Sequence, residues 1–176
     1  MSSTNETDPA SAAAWFQIAL GDLAGARKLA LDTELPPRLA ATFAQQAAEK
    51  ALKAVIASAR VDPPKTHDLV LLALVVRGHG LSVPAGVDLA LLGDALRSGR
   101  YPDPTEAPIG RSVAVDLVDA AQAVVDLVRT HFVASGLDLE ADPNDFTREP
   151  TLPLFVSGQP DLAMHVDDDL DGFGGP

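Results

Sequence analysis

Apolar positions along this chain recur at intervals of three and four, the period that lines one face of an α-helix. The pattern predicts a first helix from about Ser11 to Leu31, capped by Ser11, with Phe16, Leu20, Leu23 and Leu31 on its inner face. Pro36 and Pro37 suit the first turn of a second helix, where the N–H that proline lacks would have no partner anyway. That helix carries Leu39, Phe43, Ala47, Leu52 and Ile56, and Asp62-Pro63-Pro64 ends it, since a residue before proline is steered away from helical angles. Thr66 is a good cap for a third helix, Asp68 to Arg77, whose apolar run Leu69–Val76 reads as buried on most sides; Gly78-His79-Gly80 stops it. A shorter helix, about Val87 to Arg97, follows a Val-Pro turn. Arg100-Tyr101-Pro102-Asp103-Pro104 is then extended or turned, fixed by its two prolines. A closing helix from about Pro108 to Ala134 has the longest inner stripe: Ala114, Leu117, Ala121, Val124, Val125, Val128 and Phe132.

No segment alternates as a half-buried strand does, and the connections between helices are fairly short. The expected fold is therefore all-α, an antiparallel up-and-down bundle of four long helices plus one short. Residues 1–10 are a polar, disordered N-terminus, 11–135 the bundle, and 136–176 an acidic tail in which the helical period disappears. With Pro143, Pro150, Pro153, Pro160 and a Gly-rich end, the tail is expected to be mostly disordered, because it buries too little apolar surface to offset ordering. Leu152–Val156 (LPLFV) is its apolar exception, suited to docking on the bundle or on a partner.

Charge sharpens this division. The net charge of -12 looks adverse to nucleic acid, but residues 11–135 carry 12 Lys/Arg and 13 Asp/Glu, a net of -1. From Gly136 onward the net is -9, and Glu6 and Asp8 supply the rest. The acidity belongs to the ends, and the bundle is nearly neutral. Cysteine is absent, which excludes disulfides and thiolate metal sites. No apolar run approaches the roughly 20 residues that span a bilayer, and the N-terminus lacks the order of a signal peptide. A cytoplasmic protein without membrane contact is expected. No basic patch with interleaved aromatics is present, so nucleic-acid binding is not expected. Asp167-Asp168-Asp169-Leu170-Asp171-Gly172 opens like an EF-hand loop, but the sequence reaches Pro176 before the twelfth-position Glu, and no flanking helices are evident. No phosphate-binding Gly loop, nucleophile elbow or zinc-helix motif occurs, and neither metal nor cofactor is expected.

Three features carry a resemblance. The first helix reads Trp15-Phe16-Gln17-Ile18-Ala19-Leu20-Gly21-Asp22-Leu23-Ala24-Gly25-Ala26. The second reads Phe43-Ala44-Gln45-Gln46-Ala47-Ala48-Glu49-Lys50-Ala51-Leu52-Lys53-Ala54, the most specific piece. Lys65-Thr66-His67-Asp68-Leu69 and Arg100-Tyr101-Pro102-Asp103 follow in order. Over roughly residues 13 to 133 the chain resembles the HEPN family (higher eukaryotes and prokaryotes nucleotide-binding), and in particular the subgroup encoded beside a small nucleotidyltransferase. The resemblance implies a bundle that dimerises, with one of two roles. Some members are metal-independent RNases, often toxins of toxin–antitoxin pairs neutralised by the nucleotidyltransferase; others lack the catalytic motif and bind nucleotide or assist the partner enzyme.

Family RNases hold an Arg and a His with four to six residues between them at the start of a late helix, one a cation for phosphate charge, the other a base for the ribose 2′-hydroxyl. Here Arg77…His79 and Arg129…His131 are too close, and Arg111 is followed at the required distance by Asp116, Leu117 and Val118. Arg60…His67 fits the spacing but spans the Pro-Pro loop between the second and third helices. The expected role is accordingly non-catalytic, with Arg60 and His67 as the only catalytic candidates. A nucleotide-binding cleft would gather Asp22, Gln46, Glu49, Lys50, Lys53, His67 and Asp68, with Lys50 or Lys53 on phosphate, and Arg100 and Tyr101 stacking on a base. The alternative is structural: a polar interhelical face for Gln46, Glu49 and Lys53, a local bond at a helix start for His67, a pinned turn for Arg100 and Tyr101. Trp15 is core or dimer interface. A third role, as a structural or regulatory partner acting through the acidic tail, also stays open.

Overall fold

Among the described residues five helices account for the fold: α1 (Pro9–Leu31), α2 (Pro37–Ser58), α3 (Leu69–Arg77), α4 (Leu89–Arg100) and α5 (Arg111–Ala134). They come from a computed structural model that describes residues 9–100 and 108–137, and no strand occurs among those residues. The two acidic ends and Tyr101 lie outside the described residues, as do the EF-hand-like hexapeptide and Leu152–Val156. Among the described residues no helix is long and apolar enough to cross a membrane.

The expected proportions need one correction. Three helices are long, at 22 to 24 residues, and two are short: α3 has 9 residues and α4 has 12. The bounds also move by a few residues. α1 begins at Pro9, so Ser11 lies inside the helix and does not cap it. The cap of α3 is Asp68, not Thr66: its carboxylate accepts from the N–H of Val70 and of Leu71, while Thr66 Oγ1 accepts from the N–H of Asp68.

α2 packs against each of the other four helices and is the centre of the fold. From Ala47 to Ala57 every residue of α2 except the half-buried Lys50 is buried, which leaves that stretch little solvent-facing surface. Alanine at 40, 41, 44, 47, 48, 51, 54 and 57 makes this feasible, because a methyl group lets neighbouring backbones approach closely without a long side chain to accommodate. α1 meets α2 with a stripe at intervals of four and three: Ala12, Phe16, Ala19, Leu23, Ala26 and Ala30. Leu31, expected on that face, is 82% exposed. On α5 the whole expected stripe is buried, joined by Val118, and Phe132 meets Phe16 edge to face with ring centroids 5.5 Å apart.

Specific contacts fix the register. Trp15 lies beneath Lys53, Asp22 pairs with Lys50, and Gly25 faces Phe43, so residue numbers rise on α1 as they fall on α2. Arg111, at the start of α5, reaches the end of α1, where its guanidinium donates to the carbonyls of Ala30 (3.0 Å), Asp32 (2.5 Å), Thr33 (3.4 Å) and Leu35 (3.1 Å). Those carbonyls include orphans of the α1 C-terminus, the negative end of its dipole, and a planar five-donor cation suits them.

α3 departs most from expectation. Leu69, Leu72 and Val76 are buried, but Val70, Leu71 and Leu74 face water. Among the described residues this nine-residue helix packs on α2 and α4 through its Leu69, Leu72 and Val76 side.

Candidate functional site

Three polar residues of α2 recur at intervals of four and all turn inward: Gln45, Glu49 and Lys53, 0%, 7% and 6% exposed. The spacing stacks them on one helix face. α1 contributes Trp15 to the site, and the connection between α2 and α3 contributes His67.

Glu49 is the hub. Its carboxylate accepts from Lys53 Nζ at 2.8 Å and from the Gln45 amide at 3.0 Å, and His67 Nδ1 stands 3.1 and 3.0 Å from its two oxygens. Burial alone would push the Glu49 carboxyl up. The hydrogen bonds from Lys53, Gln45 and His67 and the charge of Lys53 outweigh that, and hold it below the ordinary glutamate range. Glu49 is therefore an anion at neutral pH. An ionised carboxylate has no proton to give, so the proton in the Glu49–His67 bond sits on Nδ1. His67 Nε2 has no hydrogen bond among the described residues, and the ring is 62% exposed. The Lys53 ammonium lies 5.4 Å from the Trp15 ring centroid, within range of a cation–π attraction. Gln45 Oε1 is buried and accepts from no described group, although the amide nitrogen donates to Glu49 and, at 3.4 Å, to the His67 carbonyl.

A second cluster lies one residue further round α2. Lys50 Nζ donates to Asp22 of α1 and, at 3.2 Å, to Gln46 Oε1. Among the expected site residues, Glu49, Lys53 and His67 are thus joined in one network, and Asp22, Gln46 and Lys50 in another. Asp68 is occupied in capping α3. Arg60 turns the chain out of α2 with φ of +59°, its N–H donating to the Ala57 carbonyl at 2.9 Å. Arg100 closes α4, and its side chain, like Tyr101, lies outside the described residues. No group of three or more His, Asp or Glu suited to a metal occurs among the described residues.

Two members of the first network escape the sequence reading. Gln45 is four residues before Glu49 and eight before Lys53, a spacing that was available as a signal. Trp15 is legible only as core or interface, because nothing in its neighbours tells that an ammonium lies over the ring.

The fold and the site define a small helical domain with a polar stripe drawn through its central helix. The HEPN domain model matches residues 12–131, and the chain belongs to the HEPN family. That membership makes the domain a module of nucleotide-binding or RNase type. No curated protein and no solved structure matches the chain.

Proposed function

We propose that this chain is a non-catalytic HEPN binding module, an antiparallel up-and-down bundle that works as a homodimer and takes a nucleotide beside the Glu49–His67 pair. The opposed numbering of the α1–α2 contacts, and of Phe16–Phe132 with Ala30–Arg111, sets α2 and α5 each antiparallel to α1, as the bundle reading requires. One observation carries the ligand claim: a buried carboxylate holds a mostly exposed imidazole, joined through Lys53 to the Trp15 ring. Lys65, exposed and two residues before His67, adds a cation to the same connection. His67 and Lys65 suit phosphate, and Trp15 offers aromatic surface to a base. Lys50 and Lys53 are less suited, since a phosphate drawn to either would have to displace Asp22 or Glu49. Under the same proposal the module is accessory to a small nucleotidyltransferase, a reading supported by the order of its sequence motifs. Co-purification of such an enzyme, encoded beside this chain, tests that assignment.

The ligand claim is tested by calorimetry with a panel of nucleoside mono-, di- and triphosphates. Binding of at least one, lost in His67→Ala while circular dichroism shows the variant still folded at the titration temperature, is the expected result. No heat with any nucleotide would remove the ligand claim.

A second reading, an RNase of the toxin type, rests on the same histidine. With Nδ1–H held by Glu49, neutral His67 keeps a lone pair on Nε2, the arrangement a general base needs. The non-catalytic reading leads because Arg111, the arginine at the start of the closing helix, is committed to four backbone carbonyls. Cleavage of RNA by the purified chain, abolished by His67→Ala and by Arg60→Ala, would reverse that order.

A further inference from the structure

α3 presents an apolar face on which none of the described residues rests. Val70 and Leu71 are each 45% exposed and Leu74 60%, while Leu91 of the adjoining α4 is 48% exposed. Between α3 and the segment entering α4 runs a groove of about 410 Å³, lined by Val70, Leu74, Arg77, Val83, Val87 and Asp88 among others. Leucines set side by side on a short helix, rimmed by charge, mark a surface that gains by being covered.

The charges at the groove decide what covers it. Arg77 makes no ion pair among the described residues. Asp88 makes none either; one of its oxygens accepts from the Leu91 N–H at the start of α4. The groove therefore holds one cation and one carboxylate that do not neutralise each other. An acidic partner would satisfy Arg77 and oppose Asp88, and a basic one would do the reverse. A second copy of the same surface brings both signs: about a twofold axis through the groove, a contact of Arg77 with the other copy's Asp88 is repeated by Asp88 with the other copy's Arg77.

We propose that this face of α3 and α4 is the contact between two copies of the chain. Val70, Leu71, Leu74 and Leu91 form its centre, and Arg77 of each copy meets Asp88 of the other at its rim. The inference rests on the homodimer in the proposed function and names its surface.

Sedimentation velocity on the full chain tests it, with three variants. Leu74→Glu places a charge at the centre and should leave a monomer at concentrations where the wild type is dimeric. Arg77→Glu sets two acids against each other and should weaken the dimer at least about tenfold. Asp88→Asn keeps the helix cap while removing the charge, and should weaken it several-fold. The two rim residues are exposed, so their variants report on association even if Leu74→Glu disturbs α3. A dimer whose dissociation constant is unchanged by all three would overturn this surface and leave the homodimer standing. A monomeric wild type would overturn both.

Discussion

A carboxylate buried among helices costs free energy unless its partners are in place, and Glu49 has three. Glu49→Gln leaves the Lys53 ammonium, 6% exposed, without its counter-ion, and should lower stability by about 3 kcal/mol at neutral pH. Because the folded-state pKa of Glu49 is depressed, its contribution is present above the ordinary glutamate value, near 4.5, and disappears as pH falls through the lower folded value. The stability gap between wild type and Glu49→Gln, read from urea unfolding, should close across that acidic range and not on the alkaline side. Much of this network is legible at the residue scale: Glu49 and Lys53 stand four apart in the favourable order on a helix, so their pairing follows from spacing alone. Their burial does not. It depends on His67 arriving from 18 residues away and on Trp15 from the preceding helix, and both are tertiary facts.

At the scale of the element, periodicity identifies a helix more securely than it identifies the buried side. On α5 the stripe from Ala114 to Phe132 was enough, since polar residues separate it from the outer face. On α3 an unbroken apolar run contains no such contrast, and Val70, Leu71 and Leu74 prove to be outside. The role of Arg111 had no sequence signal at all, for its acceptors are backbone carbonyls 76 to 81 residues away. Replacing it with Met, which keeps the apolar stem, should cost about 2 kcal/mol as charged hydrogen bonds at the α1 C-terminus are lost. Arg111→Lys should recover only part, since an ammonium cannot fork among four carbonyls. α1 offers the opposite test. A Cβ at Gly21 meets nothing within 4 Å, so Gly21→Ala should raise stability by about 1 kcal/mol through helix propensity alone. At Gly25 the same methyl stands 3.2 Å from the Phe43 ring, and its gain should be smaller than that at Gly21. Thermal melts of the two variants side by side make the comparison.

For the molecule as a whole, a nearly neutral helical region with a strongly acidic sequence beyond it keeps the overall charge from describing the helical surface. The all-α fold and the family were legible from the helical period and two motif helices. The ligand was not, because the groups that would hold it are defined by what they already bind. Lys50 and Lys53 look like phosphate ligands in one dimension and are carboxylate partners in three. That shift moves the expected phosphate contact to His67 and Lys65. The account turns on whether this imidazole, held by Glu49, meets a nucleotide, and calorimetric titration of the full chain with a nucleotide panel measures it. Saturable binding that vanishes in His67→Ala but persists in Lys50→Ala is the predicted result; binding indifferent to His67, or none with any nucleotide, would contradict it.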